Sequence, residues 1–435
     1  MSDALFPDMD PRPASDGCDD APPRYETANR TQVELQPCDL DALLPPGHAA
    51  RLVWRFVEGL DLSALYARIR AREGRAGRPP IDPKILVALW LYATMDGVGS
   101  AREVDRLCYS HDAYRWLRGG VSVNHHTLSD VRVQHHTVIT DLLTQSIAAL
   151  LSRGIVTMAR VAHDGTRVRG SAGAGSFRRD ATLQECLRAA RKQVERTAKQ
   201  TDAPVNAREA AAQARAATEQ LARVDEALAQ LPAVQATKAR QRDGRRTEAR
   251  VSTTDPDARM MKMADGGFRP ASNVQLATDV DSRVVVGVTV THAGTDRGSL
   301  PPMLAQVHTR TGRYPGAALI DGGCFSRETV TDAAAHGVTV YAPLSTRRGG
   351  PTATPQPTDS PAVQAWRARM ATEEAQRVYH ARAATAEWVH ADGRTHRTLD
   401  RIPVRGLAKV HTWALWMALA HNMIRTLDIV PHLMT

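Results

Sequence analysis

Three acidic residues stand where carboxylates can do chemistry: Asp164 in RVAHDGTRVRG, Asp321 in ALIDGGCFS and Glu387 in YHARAATAEWVHA. Each aspartate closes a short apolar run and is followed at once by glycine. That is the pattern of a strand that delivers a side chain to a sheet edge before the chain turns away. Glu387 sits in a stretch of helical spacing, below Tyr379 and Arg382. Three carboxylates converging on one point repel unless cations lie between them, and hard cations such as Mg²⁺ favour oxygen ligands. Two strand-end aspartates plus a helix-borne glutamate form the set that two-metal phosphoryl transfer needs.

The elements around these residues follow from pattern. Apolar runs predict strands over 273–279 and 284–292, joined by a turn at Asp281-Ser282-Arg283. A helix over 299–311 leads to the strand ALID. Ser326 caps a further helix ending at Gly337, and VTVYAP is the next strand. The order is strand, strand, strand, helix, strand, helix, strand, helix. Three antiparallel strands followed by two parallel crossovers describe an α/β ribonuclease-H-like core with a mixed five-stranded sheet. In that arrangement the first and fourth strands lie side by side, about 4.8 Å apart, which makes Asp164 and Asp321 neighbours.

The chain divides into four parts on this reading. Residues 1–36 are polar, carry Pro11, Pro13, Pro22 and Pro23, and are expected to be a disordered tail. Residues 37–158 read as an all-helical domain, with apolar stripes Val53/Phe56/Val57/Leu60 and Ile85/Leu86/Leu89/Trp90 on either side of the turn GRPPIDP. Ser100 with Glu103 forms a capping box, and another helix starts near Asn124–Thr127. Short helices with basic residues between them suit a helix-turn-helix DNA-binding bundle, and suit a plain dimerisation bundle equally well. Residues 159–177 and 251–435 make the catalytic part. Between them, 178–250 form a helical coiled-coil insertion: Ala214, Ala217, Leu221, Val224, Leu228 and Leu231 mark a heptad seam, with Asn206 and Glu209 capping its start. The segment 347–360, rich in Pro, Thr and Gly, reads as a linker before the helix of Glu387.

Net charge is +9 with a pI near 9.6, carried by arginine; lysine occurs only at Lys84, Lys192, Lys199, Lys238, Lys262 and Lys409. Arginine suits phosphate because its planar fork binds two oxygens, although an arginine-biased surface alone gives the same balance. Cys18, Cys38, Cys108, Cys186 and Cys324 form no CxxC pair and fit a reducing cytoplasm. No signal peptide opens the chain, and no apolar run approaches the roughly 20 residues of a membrane span. The paired histidines of HHTLSDVRVQHH (His125, His126, His135, His136) lie on different faces of a single helix and lack cysteine or HExxH partners, so capping and polar contacts explain them better than zinc. GSAGAGSF lacks the Lys-Ser/Thr of a phosphate-binding loop.

From about residue 38 to the C-terminus the chain resembles the bacterial insertion-sequence transposases of the DDE type. The resemblance rests on GRPPIDP, on AREVDRLCYSHDAYRWLRGG with HHTLSDVR, on HDGTRVRG, on DPDARMMKMADGGFRPASNVQLATD, on LIDGGCFS and on YHARAATAEWVHADGR, in that order. It implies that Asp164, Asp321 and Glu387 are the catalytic, metal-binding triad for two divalent ions, Mg²⁺ or Mn²⁺. It also implies that Tyr379, Arg382 and Glu387 match the family's tyrosine–arginine–glutamate signature, with Arg394 where a lysine often follows. Tyr379, Arg382 and Arg394 would then contact DNA. Here four residues separate Arg382 from Glu387, against three in the familiar pattern, which leaves Glu374 and Glu373 as runners-up. Asp257 and Asp265 are weaker triad candidates, and Trp388 reads as core rather than as a base-stacking residue. The implied partners are double-stranded DNA, as element ends and target, and a second copy of the chain on that DNA. The implied location is the bacterial cytoplasm, associated with the nucleoid. A nuclease that cuts without joining, or a catalytically silent DNA-binding regulator, are the alternatives.

Overall fold

Asp82 and Pro83 begin the helix on which much of the interior is built. The Asp82 carboxylate accepts the Lys84 N–H at 2.9 Å, and Pro83, which has no N–H to leave unpaired, takes the first helical position. The helix that follows is apolar on every side, as a fully buried helix must be. The computed structural model describes residues 28, 31, 37–71, 79–199, 207–240, 248–344 and 353–429. Most of the tail 1–36, Gly77 and Arg78 of the turn before Asp82, Asn206 of the expected cap, and 347–352 of the expected linker lie outside the described residues.

Helices come first in the chain: α1 (Ala49–Glu58), α2 (Ser63–Tyr66), α3 (Pro83–Met95), α4 (Ala101–Ser110), α5 (Asp112–Arg118), α6 (His125–Gln134) and α7 (His136–Ser152). The expected caps are present: Ser100 accepts the Glu103 N–H and Asn124 accepts that of Thr127. Strand β1 (Arg160–Arg169) follows, then β2 (Phe177–Arg178), the long helices α8 (Asp180–Lys199) and α9 (Ala207–Ala239), and β3 (Val251–Ser252), which pairs with β2. Next come β4 (Arg259–Lys262), β5 (Phe268–Asp279), β6 (Val285–Thr291), α10 (Leu300–Thr311), β7 (Ala317–Ile320), α11 (Arg327–Ala335) and β8 (Thr339–Tyr341). The chain closes with α12 (Pro361–Met370), α13 (Glu373–Arg382), a π-helical turn (Ala383–Glu387), α14 (Trp388–His396) and α15 (Leu407–Ile429).

The main sheet is mixed, with β1 at its centre. β1 runs antiparallel to β5, with Asp164 opposite Leu276, and parallel to β7, with His163 opposite Ile320. β8 extends the sheet parallel to β7, and β6 lies antiparallel on the far edge of β5. The sheet has six strands rather than the expected five. A tight turn closed by the Gly266 N–H on the Met263 carbonyl, with Gly266 at φ +82°, folds β4 back onto the start of β5. Nor does Asp164 end its strand, as its following glycine suggested: β1 continues through Gly165, which pairs with Gln275. Asp164 still reaches a sheet edge, because β7 stops at Ile320 and pairs only with Arg160–His163.

Helix α15 lies between the two halves of the interior, packed against α3, α6 and α7 and against β6. Its Asn422 is fully buried, accepting the Val285 N–H and donating to the Val285 carbonyl, both at 2.8 Å. Asn422→Ala strands both backbone groups and is expected to cost about 2–6 kcal/mol, at about 1–3 kcal/mol for each buried group left without a partner. A fall in the urea midpoint with an unchanged slope would report it. No helix among the described residues is long and apolar enough to cross a membrane.

The insertion is a helical hairpin. Leu183, Leu187 and Ala190 of α8 and Ala217, Val224 and Ala227 of α9 are all buried. Gln230 fastens the hairpin to the body through the Asp257 carboxylate (2.9 Å), and Asp257 in turn accepts the Leu407 N–H (2.7 Å) at the start of α15. Asp257 therefore ties the hairpin to the start of α15.

Candidate active site

Asp164 and Asp321 come together as register dictates. His163 and Ile320 are paired on neighbouring parallel strands, and the two aspartates are the next residue along each. Asp321 ends its strand, and its Oδ1 accepts the Cys324 N–H at 2.8 Å. A Cβ at Gly323 would lie 3.2–3.3 Å from the Asp321 carboxylate oxygens, so a glycine lets the loop wrap closely around this carboxylate. Asp164 Oδ1 accepts the Gly165 N–H at 2.9 Å, and Oδ2 meets the Arg382 guanidinium at 3.0 Å. Burial pushes the Asp164 carboxyl up to about 6; the nearby Arg382 opposes this, while the negative charges of Asp321 and Asp296 add to it.

Glu387 reaches the site through a change of helix type. Thr372 caps α13, which runs as an α-helix to Arg382, and then widens into the π-helical turn. A π-turn closes i→i+5 and so absorbs one extra residue within a continuous helix. The four-residue gap between Arg382 and Glu387 is accommodated in this way, and Arg382 Nη2 lies 3.3 Å from Glu387 Oε1. Arg382 thus bridges Asp164 and Glu387, with its guanidinium carbon 5.8 Å from the Tyr379 ring centroid. The Glu387 side chain is 64% exposed and turned toward Arg382. Among the described residues, no three acidic, histidine or cysteine side chains are gathered at metal-holding distance. Glu373 and Glu374 lie in the first turn of α13, at the far end of that helix from Arg382.

A cleft of about 630 Å³ opens on the free edge of β1, lined by Asp164, Thr166, Arg167, Asp296, Asp321 and Arg394 among others. Arg394 donates to the Thr166 hydroxyl and Arg167 to the carbonyls of Lys262 and Gly294. An acidic floor with an arginine rim suits a phosphodiester that approaches together with a cation. Asp265 lies on this rim in the β4–β5 turn, paired with Arg269 at 2.6 Å.

Trp388 departs from the sequence expectation, and Asp296 adds to it. Trp388 is not core: it is 37% exposed, with the guanidinium groups of Arg283 and Arg425 4.8 and 5.5 Å from its ring. The histidine pairs are dispersed, His125 to Asp105, His135 to Arg68 and His136 to Thr412. Asp296 was not foreseen. Its signal lies in β5, where Asn273 and Gln275 put two amides on one face of a largely buried strand, and both reach Asp296.

Family models match at both ends of the chain. A transposase domain, DUF772, covers residues 38–134, and a transposase DDE domain covers 346–427. The second contains Tyr379, Arg382, Glu387 and Arg394, whereas Asp164 and Asp321 fall between the two matches. No curated protein and no solved structure matches the chain. With one transposase domain leading into the sheet and the other carrying the Arg382–Glu387 helix against Asp164, the two matches support a DDE-type insertion-sequence transposase.

Proposed function

We propose that the protein cleaves DNA at the ends of its own insertion sequence and joins the freed 3′ ends to target DNA. One observation carries this reading: Arg382, inside the transposase DDE match, bridges Glu387 to Asp164, whose strand neighbour contributes Asp321. The order β6-β5-β1-β7-β8, with three antiparallel strands and two parallel additions, supports a ribonuclease-H-like core. The helices over 49–152 would bind the terminal repeats, as a helical DNA-binding region does.

The donor set fits divalent cations. Asp164 and Asp321 offer only hard oxygen ligands on one cleft, and Asp164 carries a buried charge that its acidic neighbours oppose, which a cation would relieve. Asp164, Asp321 and Glu387 would hold the ions, with Glu387 released from Arg382. Bound Mg²⁺ or Mn²⁺ would supply an activated oxygen nucleophile and charge stabilisation at the leaving oxygen.

The protein's own groups position the DNA. Arg382 already bonds carboxylates in the site, and its fork would pass to a backbone phosphate as DNA binds. Tyr379 is pushed upward in pKa by burial, so its hydroxyl keeps its proton and donates to phosphate. Arg394, held by Thr166 on the cleft wall, takes a neighbouring phosphate. Phosphate contacts of this kind set register without reading sequence. Two element ends held together call for at least two copies of the chain.

Incubating the protein with element-end duplex and a target plasmid is the test. Joined products that appear with Mg²⁺ and vanish with chelator are expected. Nicking without any joined product would reduce the activity to that of a nuclease, and binding without either would leave a DNA-binding regulator.

A further inference from the structure

The loop between β6 and α10 folds back across β1, and its carboxylate enters the cleft. Arg167 holds the loop through the Gly294 carbonyl at 3.0 Å, and the Ser299 hydroxyl bonds the Asp296 carbonyl at 2.6 Å. The side chain is held as deliberately. Asn273 Nδ2 donates to Asp296 Oδ1 at 2.6 Å, and Gln275 Nε2 donates to the same oxygen. Asn273 and Gln275 are 0% and 1% exposed, and their amide oxygens, Oδ1 and Oε1, have no partner. Two fully buried amides are thus turned so that their donors meet one carboxylate oxygen and their own acceptors go unsatisfied. Leaving buried acceptors unpaired carries a cost in stability, which marks the arrangement as one kept for a purpose other than stability. Asp296 Oδ2 accepts no hydrogen bond among the described residues, on a side chain that lines the cleft with Asp164 and Asp321.

Gly165 belongs to the same arrangement. It lies in mid-strand with no positive φ, so no turn requires a glycine there. A Cβ at this position would run into Gln275 Nε2 and Asp296 Oδ1. Any side chain at 165 would force the ends of Gln275 and Asp296 to shift from this arrangement. The glycine beside Asp164 is therefore required by the approach of a second carboxylate.

Resting on the transposase reading above, we propose that Asp296 is a fourth carboxylate of the site, facing the cation through its water shell alongside Asp164 and Asp321 before DNA binds. Mg²⁺ keeps several waters and uses few direct carboxylates, so a fixed outer carboxylate raises affinity without having to touch the ion. Glu387, exposed and bound to Arg382, joins only when DNA takes over the guanidinium.

The experiment is Mn²⁺ binding to the DNA-free full-length protein, read by the electron paramagnetic resonance of free Mn²⁺, in wild type, D296N, G165A and D164N. Asn at 296 keeps an oxygen for both amides, so D296N should melt with wild type. D296N and G165A are each expected to weaken Mn²⁺ binding about tenfold or more, within the range for outer-shell partners of a metal. Wild-type affinity in D296N, or no Mn²⁺ binding by the wild-type protein, would overturn the proposal. Undiminished binding in D164N would instead undermine the underlying reading of the triad, which the joining assay decides separately.

Discussion

Asp164→Asn is expected to leave the protein folded and at least as stable as wild type, yet unable to cut DNA. The Asp164 side chain is 16% exposed, and burial pushes its carboxyl up to about 6, so the fold holds the charged form at neutral pH at a cost. A neutral amide of the same shape removes that cost and still accepts the Gly165 N–H, while Arg382 keeps Glu387 as a partner. The proposed catalysis has no such substitute, because an amide brings no charge to hold a cation. A loss of at least about three orders of magnitude, or about 4 kcal/mol at 1.36 kcal/mol per tenfold, is the expected size. Single-turnover cleavage beside a thermal melt separates the two effects. Cleavage within tenfold of wild type would remove Asp164 from the chemistry, and a large fall in melting temperature would make its role structural.

Acid should destabilise the protein well before its carboxylates are all protonated. His163 is fully buried and His390 nearly so, and burial lowers their pKa values to about 4 and about 3. A histidine in the unfolded chain takes up a proton near 6.5. As pH falls below that value the unfolded chain binds two protons that the fold refuses, and each histidine removes about 1.4 kcal/mol of stability per pH unit. Asp164 works in the opposite sense: between about 6 and about 4 the fold binds a proton that an unfolded aspartate does not. The balance is two protons just below pH 6.5 and one from there to pH 4, a loss on the order of 3 kcal/mol. Urea midpoints measured at half-unit steps should fall continuously over that range. A flat profile from 6.5 to 4.5 would mean that one of these rings is protonated in the fold.

Much of the framework is legible in the sequence because its signals are local. Ser100, Asn124 and Ser326 each accept the backbone N–H of the residue three positions on, as their residue types foretell. The apolar runs from 273 and from 284 become β5 and β6, and Ile320 ends β7 just before Asp321. Glycine after Asp164 misleads, because the same residue type serves a turn and a close approach. Only the folded loop with Asp296 and Gln275 against Gly165 distinguishes the two uses. The extra residue between Arg382 and Glu387 reads as a defect in a 3.6-residue period, and the π-turn that absorbs it appears only in the backbone. Trp388 is apolar by type, but its neighbours Arg283 and Arg425 come from distant segments and leave it at the surface. Contacts of this kind, made across more than a hundred residues of chain or across a loop, have no periodicity to betray them.

Of the three proposed metal-binding carboxylates, Glu387 is the one held on Arg382 at the surface, so its contribution is the most direct test. The measurement is strand joining of pre-cleaved element-end DNA by E387Q in Mg²⁺, with DNA binding followed in the same samples. Binding close to wild type together with loss of joining as deep as that of Asp164→Asn is the predicted result. Joining at the wild-type rate would contradict it, and would return the third carboxylate to Glu374, Glu373 or Asp296.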